Sequence, residues 1–113
     1  MSSNQDVTRR FTAAQNARDI DAMEACLTED CHFESARLPI VADGREAVAQ
    51  AMATWLDAHT DYSLTTVREF YVGDEGYNEW RFKATNAAGE RIETHGVDYY
   101  RFKDGLIEEK NSF

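Results

Sequence analysis

The stretch YNEWRFKATNAAGERIETHGVDYYRF, residues 77–102, decides the fold. It alternates, breaks once and alternates again. In its first half Asn78, Trp80, Phe82 and Ala84 share one parity, against Tyr77, Glu79, Arg81 and Lys83. In its second half Ile92, Thr94, Gly96, Asp98, Tyr100 and Phe102 oppose Arg91, Glu93, His95, Val97, Tyr99 and Arg101. A period of two is the mark of a strand with two unlike faces. The even faces are the more apolar ones and are expected to meet a covering layer. A turn at 87–89, with Gly89 in the left-handed position, sets Asn86 opposite Glu90. That register brings Lys83 beside Glu93 on the outer face. On the inner face it lays Trp80 over Gly96 and sets Asn78 opposite Asp98.

Strands are expected on either side, at 62–72 and 106–113, joined through 73–76 and 103–105. Such short connections predict an antiparallel meander of four. Upstream the period becomes helical. Ser2 with Gln5 three residues on resembles a capping box, and Val7, Phe11, Ala14 and Ala17 follow on one helical face. Asp19 is a good N-cap for a second helix buried along Ile20, Met23 and Leu27. Residues 31–35 alternate as a short strand, and 36–44, which holds the single proline Pro39, has no clean period. A third helix starts near Asp43 and Gly44, buries Val48, Met52, Trp55 and Leu56, and ends by Thr60. Helices first and strands afterwards imply an α+β fold, with the three helices covering the apolar face of the sheet.

The 113 residues fit one domain, and 42% hydrophobic with 12% aromatic residues support a packed core. A net charge of −9 argues against nucleic acid or an anionic membrane as partner. No apolar run approaches the ~18 residues of a membrane helix, and the polar first ten residues show no signal peptide. Cys26 and Cys31 are too few for a disulfide framework and suit a reducing cytoplasm, the expected location.

Asp98 is the anomaly. Aspartate is depleted from strand interiors, yet here it lies in line with Ile92, Tyr100 and Phe102. A carboxylate on an apolar face must be neutralised, hydrogen-bonded or open to a cavity. Two readings follow: a buried aspartate satisfied by Asn78 or a backbone amide, or an acid or base of raised pKa in an apolar cavity.

Several segments resemble the nuclear transport factor 2-like superfamily, within it the SnoaL-like and ketosteroid isomerase-like proteins. FTAAQNARDIDA (11–22) looks like the family's first helix and the turn into its second, EDCHFE (29–34) like its first strand, and GREAV (44–48) like the start of its third helix. GVDYYRFKDGLI (96–107) resembles its most recognisable strand–turn–strand. The resemblance implies a cone-shaped, curved, mainly antiparallel sheet, wrapped around a pocket and covered by the three N-terminal helices. It also implies a homodimer through the outer sheet face.

By the same resemblance Asp98 matches the acid that ketosteroid isomerases use as an oxyanion hydrogen-bond donor. Phe11 stands where those enzymes carry their tyrosine and Ser35 where they carry their aspartate base, so steroid isomerisation is not expected. The implied function is a SnoaL-like enzyme doing cofactor-independent acid–base chemistry on a small apolar carbonyl or hydroxyl compound. Isomerisation, dehydration or aldol-type cyclisation would each qualify. The alternative is a noncatalytic ligand-binding or dimerisation module with the same pocket. In either case Asp98 is the candidate catalytic or binding acid, Asn78 its positioning partner, and Phe11, Phe33, Ser35, Trp55, Trp80, Phe82 and Tyr100 the candidate walls.

The remaining candidates carry weaker signals. Limonene epoxide hydrolase-like members pair acids with an arginine, and Arg68 has the inward parity for such a part, although an exposed arginine is the plainer reading. Glu34 replaces Ser35 as the inward residue only if a bulge shifts that strand by one. Tyr62 is a possible hydroxyl donor. His32, His59 and His95 lack metal-ligand spacing, and no metal is expected. Cys31 has no histidine on its own strand face to activate it. On the outer face Glu79, Arg81, Lys83, Glu90, Arg91 and Glu93 read as solvated, or as a polar dimer surface centred on Val97, Tyr99 and Tyr71.

Overall fold

A computed structural model describes residues 3–38 and 40–113. The order of elements is α1 (Asn4–Ala17), α2 (Ile20–Glu24), β1 (Leu27–Ser35), β2 (Ile40–Asp43), α3 (Arg45–Asp57), β3 (Thr60–Val72), β4 (Glu75–Thr85), β5 (Arg91–Lys103) and β6 (Leu106–Ser112). The strands form one curved mixed sheet in the order β2-β1-β6-β5-β4-β3. Every pairing is antiparallel except β1 with β6. The fold is α+β with three helices on the inner face, as the alternation implied. The sheet does not close: β2 and β3 are its edges.

The β4–β5 register is the expected one. Asn86 pairs with Glu90 by a 2.8 Å backbone bond, and Gly89 takes φ 82°, which glycine adopts at little cost. Lys83 lies opposite Glu93, Trp80 opposite Gly96 and Asn78 opposite Asp98. Phe82, Tyr100, Phe102 and Ile107 are buried against Val7, Phe11, Val48 and Leu56 of the helices. Full burial of each such side chain stabilises by about 1.5–3 kcal/mol.

Four features depart from the sequence reading. Ser2 lies outside the described residues; the capping box is made by Ser3 with Asp6, whose backbone N–H reaches Ser3 Oγ at 3.0 Å. Leu27 opens β1 rather than extending α2, because α2 ends after one turn at Glu24. The aperiodic 36–44 stretch contains β2, a four-residue edge strand too short to show a period. In β3 the register slips between Thr66 and Arg68, so Leu64 and Thr66 face inward before the bulge, and Glu69 and Tyr71 after it. Arg68 is thereby turned outward, with its side chain 78% exposed and 2.6 Å from Glu79.

Glu69, turned inward, anchors α1. Its side chain is only 7% exposed and meets Arg9 Nε at 2.8 Å, Gln5 Nε2 at 2.8 Å and Tyr71 Oη at 3.1 Å. Tyr71 packs on Phe102 and so leaves the outer face on which a dimer surface placed it. No described helix is long and apolar enough to cross a membrane.

The edge strand β2 is tied to β1 by His32. Its Nδ1 lies 2.5 Å from Asp43, the residue opposite, and its Nε2 lies 2.7 Å from Glu34. The Asp43 hydrogen bond first, then that of Glu34, raises the His32 pKa. A raised folded-state pKa stabilises fully below the unfolded value, ~6.5, and that contribution fades as pH rises through the raised value. The melting-temperature difference between wild type and His32→Gln is therefore expected to be largest near pH ~6 and to shrink toward alkaline pH; a difference that grows with pH contradicts this. A second prediction concerns Gly96, where a Cβ would meet Trp80 Cζ2 at 2.4 Å and the Phe113 carbonyl at 2.6 Å. Gly96→Ala is expected to cost about 1–3 kcal/mol in urea unfolding, since a close-packed ring and a backbone must both give way.

Candidate functional site

Between the helices and the inner face of the sheet lies a cavity of about 340 Å³. That is at the small end for a small-molecule site. Trp55, Phe82 and Leu64 line one end, and Phe33, Trp80 and Asp98 the other. The Trp55 and Phe82 rings sit 4.2 Å apart. Ser35, Leu38 and Ile40 complete the rim on the β1–β2 side. Arg37 stands beside them: its guanidinium donates to the His95 carbonyl and lies 5.8 Å from the Trp80 ring centroid.

Of the residues anticipated from sequence, Asp98, Phe33, Ser35, Trp55, Trp80 and Phe82 are on the wall. Phe11, Asn78 and Tyr100 are buried but do not line the cavity. Phe11 is fully enclosed in the core. Tyr100 lies two residues nearer the α1 end of β5 and stacks on Phe102. Asn78 is opposite Asp98 as expected, but its amide donates to Thr66 Oγ1 at 3.2 Å instead. Glu34 points outward and Ser35 faces the cavity, so no bulge exchanges them. Tyr62 donates to the Gln15 carbonyl at 3.2 Å. Arg68, facing outward, takes no part.

The partner of Asp98 is Lys110, which sequence reasoning missed. Lys110 is 4% exposed and Asp98 6%. The Lys110 ammonium lies 3.4 Å from Asp98 Oδ2, donates to Ser112 Oγ at 2.9 Å and sits 4.5 Å over the Phe33 ring. The Tyr100 hydroxyl donates to the same Oδ2 at 3.2 Å. Burial first, and then the Asp98 charge, raise the Tyr100 pKa well above its ordinary value, so its hydroxyl remains a donor. Both partners of Oδ2 are those a carboxylate anion takes, and neither asks Asp98 to donate. Asp98 Oδ1 is buried and has no hydrogen-bond partner. Lys110 turns inward because β6 slips by one residue opposite Arg101, which binds both Glu108 at 2.9 Å and Glu109 at 2.5 Å. Two consecutive residues on one face mark a bulge, after which Lys110 and Ser112 turn inward.

His59, just past α3, also lines the cavity. Its Nδ1 lies 2.8 Å from the Trp55 carbonyl and its ring meets Phe82 edge-on at 5.1 Å. A carbonyl only accepts, so Nδ1 is the donor in this bond. Cys31 is not an activated thiol: burial pushes its pKa up to about 12. Among the described residues no group of three or more His, Cys, Asp or Glu side chains is placed to hold a metal ion.

Known proteins share this architecture. A hypothetical protein with a ketosteroid isomerase-like fold from Catenulispora acidiphila, solved in complex with trimethylamine, superposes with TM-score 0.88 at 13% identity, over 95% of this chain and 83% of that one. A Mycobacterium tuberculosis protein in complex with estradiol-17β-hemisuccinate gives 0.85 at 21% identity, over 100% and 94%. TerC, co-crystallised with polyporic acid, gives 0.87 at 15% identity, over 97% and 89%. At these identities the likeness is one of fold. No curated protein matches the chain. The SnoaL-like domain model matches residues 8–110, nearly the whole length, and the chain belongs to the SnoaL-like domain family.

Proposed function

We propose that this chain is a cofactor-independent acid–base enzyme acting on a small apolar carbonyl or hydroxyl compound, with Asp98 as the proton acceptor. The observation that carries the reading is an unpartnered carboxylate oxygen, Asp98 Oδ1, on a residue of a cavity wall whose surface is mostly apolar. Isomerisation, dehydration and aldol-type cyclisation share a first demand, removal of a proton near an oxygen function. When Asp98 accepts that proton its own charge disappears, and the Lys110 ammonium 3.4 Å away is left facing the negative charge that develops on the ligand oxygen. A fixed cation in a water-poor site stabilises such charge with little reorganisation. His59 offers a second polar group at the Phe82 end, four residues along the strands and so roughly 13 Å from the level of Asp98. There it would meet a second polar group at the far end of the ligand. The ligand-bound relatives, with estradiol-17β-hemisuccinate or polyporic acid, support a ring compound as occupant. The free buried cysteines, Cys26 and Cys31, suit a reducing cytoplasm.

The outer face of the sheet supports a homodimer. Phe70, Val72, Tyr77 and Val97 are exposed there, bordered by Arg68, Glu79 and His95, so the face carries apolar area and both signs of charge for a second copy.

Two measurements test these readings. 2-Tetralone has acidic C–H bonds beside its carbonyl, and their exchange in D₂O is visible by proton NMR. Wild type is expected to accelerate exchange at least tenfold over buffer and Asp98→Asn to lose that gain. No acceleration by wild type removes the acid–base reading and leaves noncatalytic binding. Asp98→Asn also leaves the Lys110 ammonium uncompensated, at about 3–5 kcal/mol of stability, so folding is verified by circular dichroism. Sedimentation at micromolar concentration is expected to give a dimer that Val97→Glu converts to monomer; a wild-type monomer refutes it.

A further inference from the structure

Four buried side-chain polar atoms among the described residues have no hydrogen-bond partner: Thr28 Oγ1, Trp80 Nε1, Asp98 Oδ1 and Asn111 Oδ1. Two of them, Trp80 Nε1 and Asp98 Oδ1, belong to residues that line the cavity, and they are opposite in kind. An indole N–H only donates, and an ionised carboxylate oxygen only accepts. Trp80 is 9% exposed and Asp98 6%, so bulk water does little for either group.

The pair is held in place from both strands. Trp80 faces Gly96, two residues from Asp98, which makes them diagonal neighbours with Cβ atoms roughly 7 Å apart. The six-membered ring of the indole packs on Gly96, where any Cβ would come within 2.4 Å of it. Arg37 lies across the same ring. On the carboxylate side, Lys110 and Tyr100 both address Oδ2 and leave Oδ1 without a partner. The Lys110 ammonium balances the Asp98 carboxylate, and the Arg37 guanidinium adds a positive charge on the rim beside Trp80.

We infer that the cavity takes a ring-shaped compound bearing both a hydroxyl and a carbonyl. The hydroxyl donates to Asp98 Oδ1, and the carbonyl accepts from Trp80 Nε1. This rests on the reading of the cavity as the ligand site and adds to it the pairing of functional groups that the ligand must carry. Burying a donor and an acceptor unmade is costly, and a ligand that completes both recovers that cost on binding.

Three bicyclic probes of nearly equal shape separate the contributions: 7-hydroxy-1-tetralone carries both groups, 1-tetralone the carbonyl alone, and 5,6,7,8-tetrahydro-2-naphthol the hydroxyl alone. Titration calorimetry on wild type is expected to show the first binding on the order of tenfold or more tightly than either of the others, as two added hydrogen bonds allow. In Trp80→Phe its advantage over the naphthol is expected to fall to within about twofold, while its advantage over 1-tetralone survives. Equal affinity of all three for wild type overturns this inference and leaves the cavity a ligand site. Failure of all three to bind at millimolar concentration overturns both. An unchanged ratio in Trp80→Phe removes the indole from the site. The wild-type comparison needs no variant to fold.

Discussion

The buried pair of Asp98 and Lys110 is the constraint on which the site depends. Neither charge survives alone in such surroundings: removing one partner of a buried pair costs about 3–5 kcal/mol, because the other is left uncompensated. Together they are an electrically neutral unit that the apolar cavity accepts. The unit is asymmetric. Lys110 spends its ammonium on Asp98 Oδ2, Ser112 Oγ and the Phe33 ring, whereas Asp98 keeps one oxygen unengaged. In the proposed chemistry Oδ1 is the reacting atom and the lysine its countercharge. The resemblance to ketosteroid isomerases implied a carboxylic acid donor at this position; the two groups found at Oδ2, the Lys110 ammonium and the Tyr100 hydroxyl, are themselves donors.

The inner faces of β4 and β5 were legible because nothing interrupts their alternation. From Glu75 to Thr85 burial follows parity closely, and one glycine turn then sets the partner register. Asp98, Trp80 and Phe82 could be placed on the cavity side from that alone. Parity fails where a strand carries one residue too many. In β3 the slip between Thr66 and Arg68 exchanges the faces beyond it, so Arg68 goes to solvent and Tyr71 to the core. In β6 the two glutamates opposite Arg101 absorb an extra residue and swing Lys110 inward. A bulge is a local backbone choice with no fixed residue signature, so counting by twos cannot detect it.

The same bulges that hid the site also build it. An unbroken alternation through β6 would point Glu109 and Asn111, rather than Lys110 and Ser112, at Asp98. A glutamate there would set two carboxylates against each other in an apolar setting, a far costlier arrangement. Without the β3 slip, Arg68 would enter the inner face and Glu69 would leave α1 without its anchor. The resemblance at 96–107 captured the strand–turn–strand that carries Asp98 but not the register of its partner. A match of residue types across a turn says nothing about a bulge beyond it.

A protein can afford few buried polar groups without partners, since each unmade hydrogen bond costs about 1–3 kcal/mol. Thr28 and Asn111 lie away from the cavity, whereas Trp80 and Asp98 share its wall. Random imperfection in packing would not favour a donor and an acceptor that are diagonal neighbours on one face. Each is also fixed by unrelated contacts, the indole over Gly96 and the carboxylate by Lys110 and Tyr100. Neither can rotate freely to find a partner of its own. The fold thus holds two unmet hydrogen-bonding groups rigid against a small apolar space. That arrangement destabilises the empty protein and favours the occupied one, which is the energetic condition for a preorganised ligand site.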